Sequence, residues 1–167
     1  IVKTDLEVDT KFDAEDLCEV YPQGVVVEGT VNVTNSNLND LTPLFCLCDV
    51  GSLRIDNNDQ LTSLDGVDGI TSMDGDLFIS GQANLSTLSG LDNLRSIGGK
   101  VNISANNSLS TMAALSNLES IGGDVNIVSN QVLTSIGGLS GLTTIDGSLS
   151  IEFNNSLSDL SGLTGLT

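Results

Sequence analysis

The side chains of this chain that could do chemistry are carboxylates, amides, hydroxyls and three thiols, because the sequence holds no His and no Trp. Without an imidazole there is no Ser-His-Asp or Cys-His nucleophile, no His general base and no His-ligated zinc site. A carboxylate pair of the kind that cleaves glycosidic bonds is the remaining catalytic possibility. Asp65, Asp68, Asp74 and Asp76, and the run Asp56-Asn57-Asn58-Asp59, supply the acids for it. The same oxygens suit calcium. Neither group has the D-x-[DN]-x-[DN]-G-x5-E spacing of a calcium loop, and neither converges on an aromatic-lined cleft. The sequence therefore predicts no catalytic residue, no metal site and no cofactor, and these acids read as a solvated face.

The thiols and amides point outside the cell. Cys18, Cys46 and Cys48 lack C-x-x-C spacing, and Cys46 and Cys48 are too close for a relaxed disulfide. The expected bond joins Cys18 to Cys46 or Cys48, leaving the third thiol free or linked to another chain. Five N-x-[ST] sequons, at Asn32, Asn84, Asn102, Asn106 and Asn154, are candidate N-glycosylation sites. Of these, Asn84, Asn106 and Asn154 are expected in accessible turns.

Composition narrows the partners. The 167 residues carry 22 acidic and 5 basic side chains, a net charge of −17. Such a chain is repelled by phosphate backbones and anionic lipid, so no nucleic-acid partner is expected. No apolar run approaches the ~20 residues of a membrane span, so no direct membrane insertion is expected either. The chain starts at Ile1 without an initiator Met or a signal-like segment, which reads as a mature or excised piece.

What must position these residues is an internal repeat. Residues 61–84, 85–108, 109–132 and 133–156 align as four 24-residue units without an insertion. A 23-residue version, 38–60, precedes them, and 157–167 begins another. The organisation expected is an N-terminal cap with a short helix and first strand at 1–37, then repeats over 38–167 as one continuous domain. Because 157–167 stops before its Gly and strand, the array is expected to continue past Thr167.

Within a unit, apolar side chains fall at positions 1, 4, 7, 10, 13, 17 and 19, as in Leu85, Leu88, Leu91, Leu94, Ile97, Val101 and Ile103. Steps of three suit a chain turning corners around a core, and the last step of two is a short strand. Gly at position 15 (Gly29, Gly51, Gly75, Gly99, Gly123 and Gly147) fits a positive φ or close contact with the adjoining coil. Position 22 holds Asn106, Asn130 and Asn154, with Gln82 and either Asn57 or Asn58 in the same place, a stack of amides suited to bonding the neighbouring backbone. The hydroxyl doublets Thr62-Ser63, Ser86-Thr87, Ser110-Thr111 and Thr134-Ser135 read as a hydrated corner.

The pattern L-x-x-L-x-x-L-x-x-L-x-x-I-x-G-x-[VL]-x-I-x-x-N resembles the receptor L domain. That family includes the ligand-binding domains of insulin and epidermal growth factor receptors, and fungal GPI-anchored cell-wall proteins. The likeness extends to the entrance, where Ala14–Val20 matches the family's short helix and Gly29-Thr30-Val31-Asn32-Val33 its first strand. It implies a mainly β fold, a right-handed β-solenoid with one parallel sheet of short strands and an N-terminal helical cap.

It also implies a non-enzymatic extracellular or cell-surface glycoprotein, secreted or in the wall, that recognises a protein or glycan partner or serves adhesion. A structural subunit of a filament, appendage or wall, packing against copies of itself, is the alternative. Outward positions 16, 18 and 20 of the strands form the flattest surface of such a solenoid. Phe78 is their one large aromatic, flanked by Arg54 and Lys100. These three are the expected binding residues.

Overall fold

The computed structural model describes residues 4–9 and 17–167. Residues 17–20 are helical, and the rest of the helix expected over 14–20 lies outside the described residues. The chain is mainly β. Its strands are β1 (Leu6–Val8), β2 (Val25–Thr34) and β3 (Leu47–Asp56), then four pairs of short strands: β4 (Ser72–Met73) and β5 (Leu77–Ser80), β6 (Ser96–Ile97) and β7 (Val101–Ser104), β8 (Ser120–Ile121) and β9 (Val125–Val128), β10 (Thr144–Ile145) and β11 (Leu149–Glu152).

All the strand pairings are parallel, and the eleven strands make one sheet that branches at β3. Val50 of β3 pairs with Met73 and starts the ladder β4-β6-β8-β10, while Leu53 pairs with Leu77 and starts β5-β7-β9-β11. In the second ladder Leu77 faces Val101, Val101 faces Val125 and Val125 faces Leu149. The motif G-x-V-x-V predicts a first strand over 29–33, but the sheet starts earlier. β2 begins at Val25, and β1 adds a strand in which Leu6 pairs with Val31 and Val8 with Val33.

Alternation puts Leu53, Leu77, Val101 and Val125, and behind them Ile55, Ile79, Ile103 and Ile127, into the interior, all 3% exposed or less. The corner leucines at positions 1, 4, 7 and 10 meet them from the other sides, as Leu85, Leu88, Leu91 and Leu94 do at 0% exposure. A core so narrow and so fully aliphatic needs no aromatic to fill it. Between the two ladders the backbones pass very close. A Cβ at Gly123 would stand 2.8 Å from the carbonyl carbon and oxygen of Gly99, so the glycine column at position 15 answers to close approach and not to positive φ.

At the end of each strand the positive φ falls instead at position 21, at Asn35, Asn57, Ala105, Ser129 and Phe153, with φ of 49° to 59°, and at Gly81 with 69°. This left-handed residue turns the chain sharply after each strand and swings the next side chain inward. Inward lies the amide stack. Asn58, Gln82, Asn106 and Asn130 are 0% exposed. Each side-chain oxygen accepts the backbone N–H of the equivalent residue one coil back: Asn58 from Ser36 (2.8 Å), Gln82 from Asn58 (3.1 Å), Asn106 from Gln82 (3.2 Å), Asn130 from Asn106 (3.1 Å) and Asn154 from Asn130 (2.8 Å). Each side-chain nitrogen donates to a strand carbonyl, Val33, Ile55, Ile79, Ile103 and Ile127 in turn. Of the two candidates in the short repeat, Asn58 is the member. Asn57 is the exposed left-handed residue before it.

The corner hydroxyls also bond across coils. Thr62 donates to Asn39 O (3.1 Å) and Ser110 to Ser86 O (3.2 Å). At the N-terminal side a disulfide joins Cys18, in the helical residues, to Cys46 beside β3, with Cα atoms 5.4 Å apart, and Cys48 is free and exposed. Closing a loop of 28 residues this way stabilises the fold by about 3–4 kcal/mol in the chain-entropy model.

Asn130→Ala strips the acceptor from the Asn106 N–H and the donor from Ile103 O, both inside the molecule. An unsatisfied buried group costs about 1–3 kcal/mol, so denaturant unfolding is expected to show a loss of about 2–6 kcal/mol. Asn107→Ala, at an exposed site, should stay within about 0.5 kcal/mol. Equal effects from the two would refute the ladder as a source of stability.

Candidate functional site

Parallel register turns the outward residues into straight rows. The central row runs Glu7, Asn32, Arg54, Phe78, Asn102, Asn126, Ser150, each side chain beside its neighbour's on the next strand. The row beside it carries Thr30, Ser52, Asp76, Lys100, Asp124 and Ser148. Among the described residues this face holds a shallow groove of about 460 Å³, lined by Asn32, Arg54, Phe78, Lys100, Asn102 and Asn126 among others.

Arg54 and Phe78 are brought into contact. The guanidinium carbon lies 4.3 Å from the ring centroid, and the same group is paired with Asp56 at 3.1 Å. Phe78 is thus half-buried beneath Arg54 instead of standing free between two cations. Lys100 lines the groove but turns to the neighbouring row, its Nζ 3.0 Å from Asp124. Arg95, away from this face, pairs with Glu119 at 3.1 Å, so each described cation already holds an acid. Asn102 is half-buried, and its side-chain oxygen is buried without a hydrogen-bond partner.

The carboxylates of this face have a structural task that residue spacing alone does not suggest. Asp5 accepts the Thr30 N–H (2.8 Å), Asp76 the Lys100 N–H (2.7 Å) and Asp124 the Ser148 N–H (3.0 Å), while Ser52 does the same for Asp76 (2.9 Å). Each caps the coil after its own, just past the position-15 glycine. The readable signal is the pair Gly-Asp or Gly-Ser, as in Gly51-Ser52, Gly75-Asp76 and Gly123-Asp124. The Ser148 N–H, and after it Lys100, hold the Asp124 carboxyl below its ordinary pKa. The reciprocal pairing raises Lys100. Asp159 is likewise lowered, first by the Ser161 N–H.

The sequons separate sharply. Asn106 is a correction to the expectation of an accessible turn. It is 0% exposed and is a rung of the amide stack. Asn154 also belongs to the stack and is half-buried. Asn84 is exposed in its turn, and Asn32 and Asn102 lie on the sheet face. Among the described residues no three acidic or cysteine side chains gather as a metal site, and no helix is long and apolar enough to cross a membrane.

A carboxylate whose pKa is lowered on folding stabilises the fold above its unfolded value, near 3.9. That contribution is lost as pH falls through the lower folded value. A lysine raised on folding contributes fully below its ordinary value and loses the contribution as pH rises past the folded one. Lys100→Met should therefore move the Asp124 titration, followed by carboxyl NMR, upward but not back to the ordinary carboxylate value, since the Ser148 N–H remains. Full return would assign the whole effect to Lys100.

Compared with known proteins, residues 46–165 match the family model for the Receptor L domain. No curated protein and no solved structure matches the chain.

Proposed function

The chain belongs to the receptor L domain family, and we propose that it is an extracellular recognition module whose outward sheet face holds a protein partner at the groove around Arg54, Phe78 and Lys100. Receptor L domains are non-catalytic, ligand-binding modules of cell-surface receptors. A disulfide supports an oxidising compartment for this chain.

The observation that carries the reading is the Arg54–Phe78 stack set inside the groove. Arg and aromatic side chains are the types that dominate binding energy at protein interfaces. Here ring and guanidinium are stacked against each other, and Asp56 also pairs with the guanidinium at 3.1 Å. Little side-chain freedom is left to lose when a partner docks. Parallel strands also present the flanking amides Asn32, Asn102 and Asn126 in one line, offering donors and acceptors at regular spacing. The surrounding charge of −17 discourages anionic partners, so contact shape and these few groups must select the ligand.

The test measures binding of the purified chain to cells of its source by flow cytometry, with sedimentation run in parallel for self-association. Arg54→Glu combined with Phe78→Ala, in a variant that melts like the parent, should weaken binding at least tenfold. Unchanged binding would move the contact off this face. Arg95→Glu, outside the groove, should leave binding as it was.

A further inference from the structure

We propose that of the five sequons only Asn84 accepts an N-linked glycan in the folded, secreted chain, so that the sugar stands beside the binding groove and not on it. The inference shares with the proposed function only passage through a secretory route and is independent of what the groove binds.

Three conditions decide a sequon here: an exposed carboxamide, a nitrogen with a hydrogen to spare, and room for a sugar. Glycosylation forms a bond from the side-chain nitrogen to the anomeric carbon of an oligosaccharide carried on a lipid diphosphate. The bond from that carbon to the diphosphate oxygen breaks, the lipid diphosphate leaves, and one amide proton passes to solvent. The product nitrogen keeps a single N–H. At Asn84 that is enough. The residue is exposed, and its nitrogen makes one bond, to Asp59 O at 2.6 Å, which the remaining N–H can keep. Leu85 anchors the sequon in the core at 0% exposure while Ser86 is exposed, so the acceptor is presented from a fixed turn.

The other four fail on the same conditions. Asn106 is 0% exposed and spends its nitrogen twice, on Ile79 O (3.0 Å) and on the Asn130 oxygen (3.2 Å), so a sugar there is incompatible with the coil stack. Asn154 fails on exposure: it is half-buried in the amide stack, donating to Ile127 O (2.7 Å) and accepting the Asn130 N–H (2.8 Å). Asn32 and Asn102 are half-buried in the groove's own lining. The Asn32 nitrogen donates to Glu7 (2.8 Å) on the adjoining strand, and Asn102, paired with Phe78 on one side and Asn126 on the other, has its side-chain oxygen buried. Asn84, by contrast, follows Phe78 by one strand end and one corner and is not part of the groove lining.

Glycan transfer precedes folding, so the count must be made on protein that has folded and been secreted. The full chain is expressed behind a secretion signal in a eukaryotic host, and the secreted fraction is analysed by intact mass and by peptide mapping after enzymatic deglycosylation in heavy-oxygen water. One glycan, mapped to Asn84, is expected. Asn84→Gln and Ser86→Ala should each remove all glycan mass while secretion and thermal melting are kept. Ser86→Ala leaves the Asn84 side chain in place, so a folding defect confined to the first variant does not blur the result. Ser108→Ala, which destroys the Asn106 sequon, should leave the glycan mass unchanged. A secreted, folded chain with sugar at Asn32, Asn102, Asn106 or Asn154, or with none at Asn84, overturns the proposal.

Discussion

The fold depends on one constraint: each coil leaves polar backbone groups at its corner that only the neighbouring coil can satisfy. Along the strands the parallel ladders do this in the ordinary way. After each strand the chain must turn: the left-handed residue still donates to the last strand carbonyl of the next coil, as Ala105 does to Val128 O (3.0 Å), but the N–H of the residue after it, as at Asn106, is met by a side chain instead. The amide stack answers that need, with one side chain accepting an N–H from the coil before and donating to a strand carbonyl of that same coil. An aliphatic side chain would fill the same space but strand two buried groups, so this is a position where a polar residue is cheaper inside than an apolar one.

Two further features follow from that demand. The amide can reach inward only if the residue before it takes a left-handed conformation, and the chain accepts this strain even at Ala105, Ser129 and Phe153, where no glycine or asparagine eases it. The two ladders can also run at one spacing only if nothing protrudes between them. Gly99 and Gly123 stack backbone on backbone for that reason, and where Asp or Ser follows the glycine, as at Ser52, Asp76 and Asp124, its side chain accepts an N–H of the next coil. Corner, glycine column and carboxylate cap therefore enforce a single spacing, and the core leucines fall into line with it.

The same spacing builds the candidate site. Arg54 can lie over Phe78 because strict register makes them neighbours on adjacent strands. Acids on this face serve the backbone first, and two of its cations are each matched by a nearby acid, Asp56 or Asp124. With Asp5 and Asp76 also in its lining, the groove offers no unpaired cation among the described residues, which suits contact by a partner's surface better than long-range attraction of an anion. Its selectivity must come from the planar stack and the row of amides.

How much of this was legible in the residues follows from the range over which each feature is decided. Apolar spacing, the glycine column and the amide at position 22 recur every coil, so repetition exposes them, and the sheet and its outward face can be derived before any coordinates. Single events are harder. Nothing in the thiols' spacing separates Cys46 from Cys48; the choice falls to the path of the chain, which buries Cys46 and leaves Cys48 outside. β1 escapes notice because Leu6 and Val8 are one short alternation without the leucine run that marks the later coils. The sequons show the limit most clearly. A three-residue motif is a local property, whereas the burial of Asn106 is imposed by Asn130 and Ile79 in the coils on either side. Wherever a position serves both the repeat and a local motif, the repeat prevails, because the free energy of every coil rests on it.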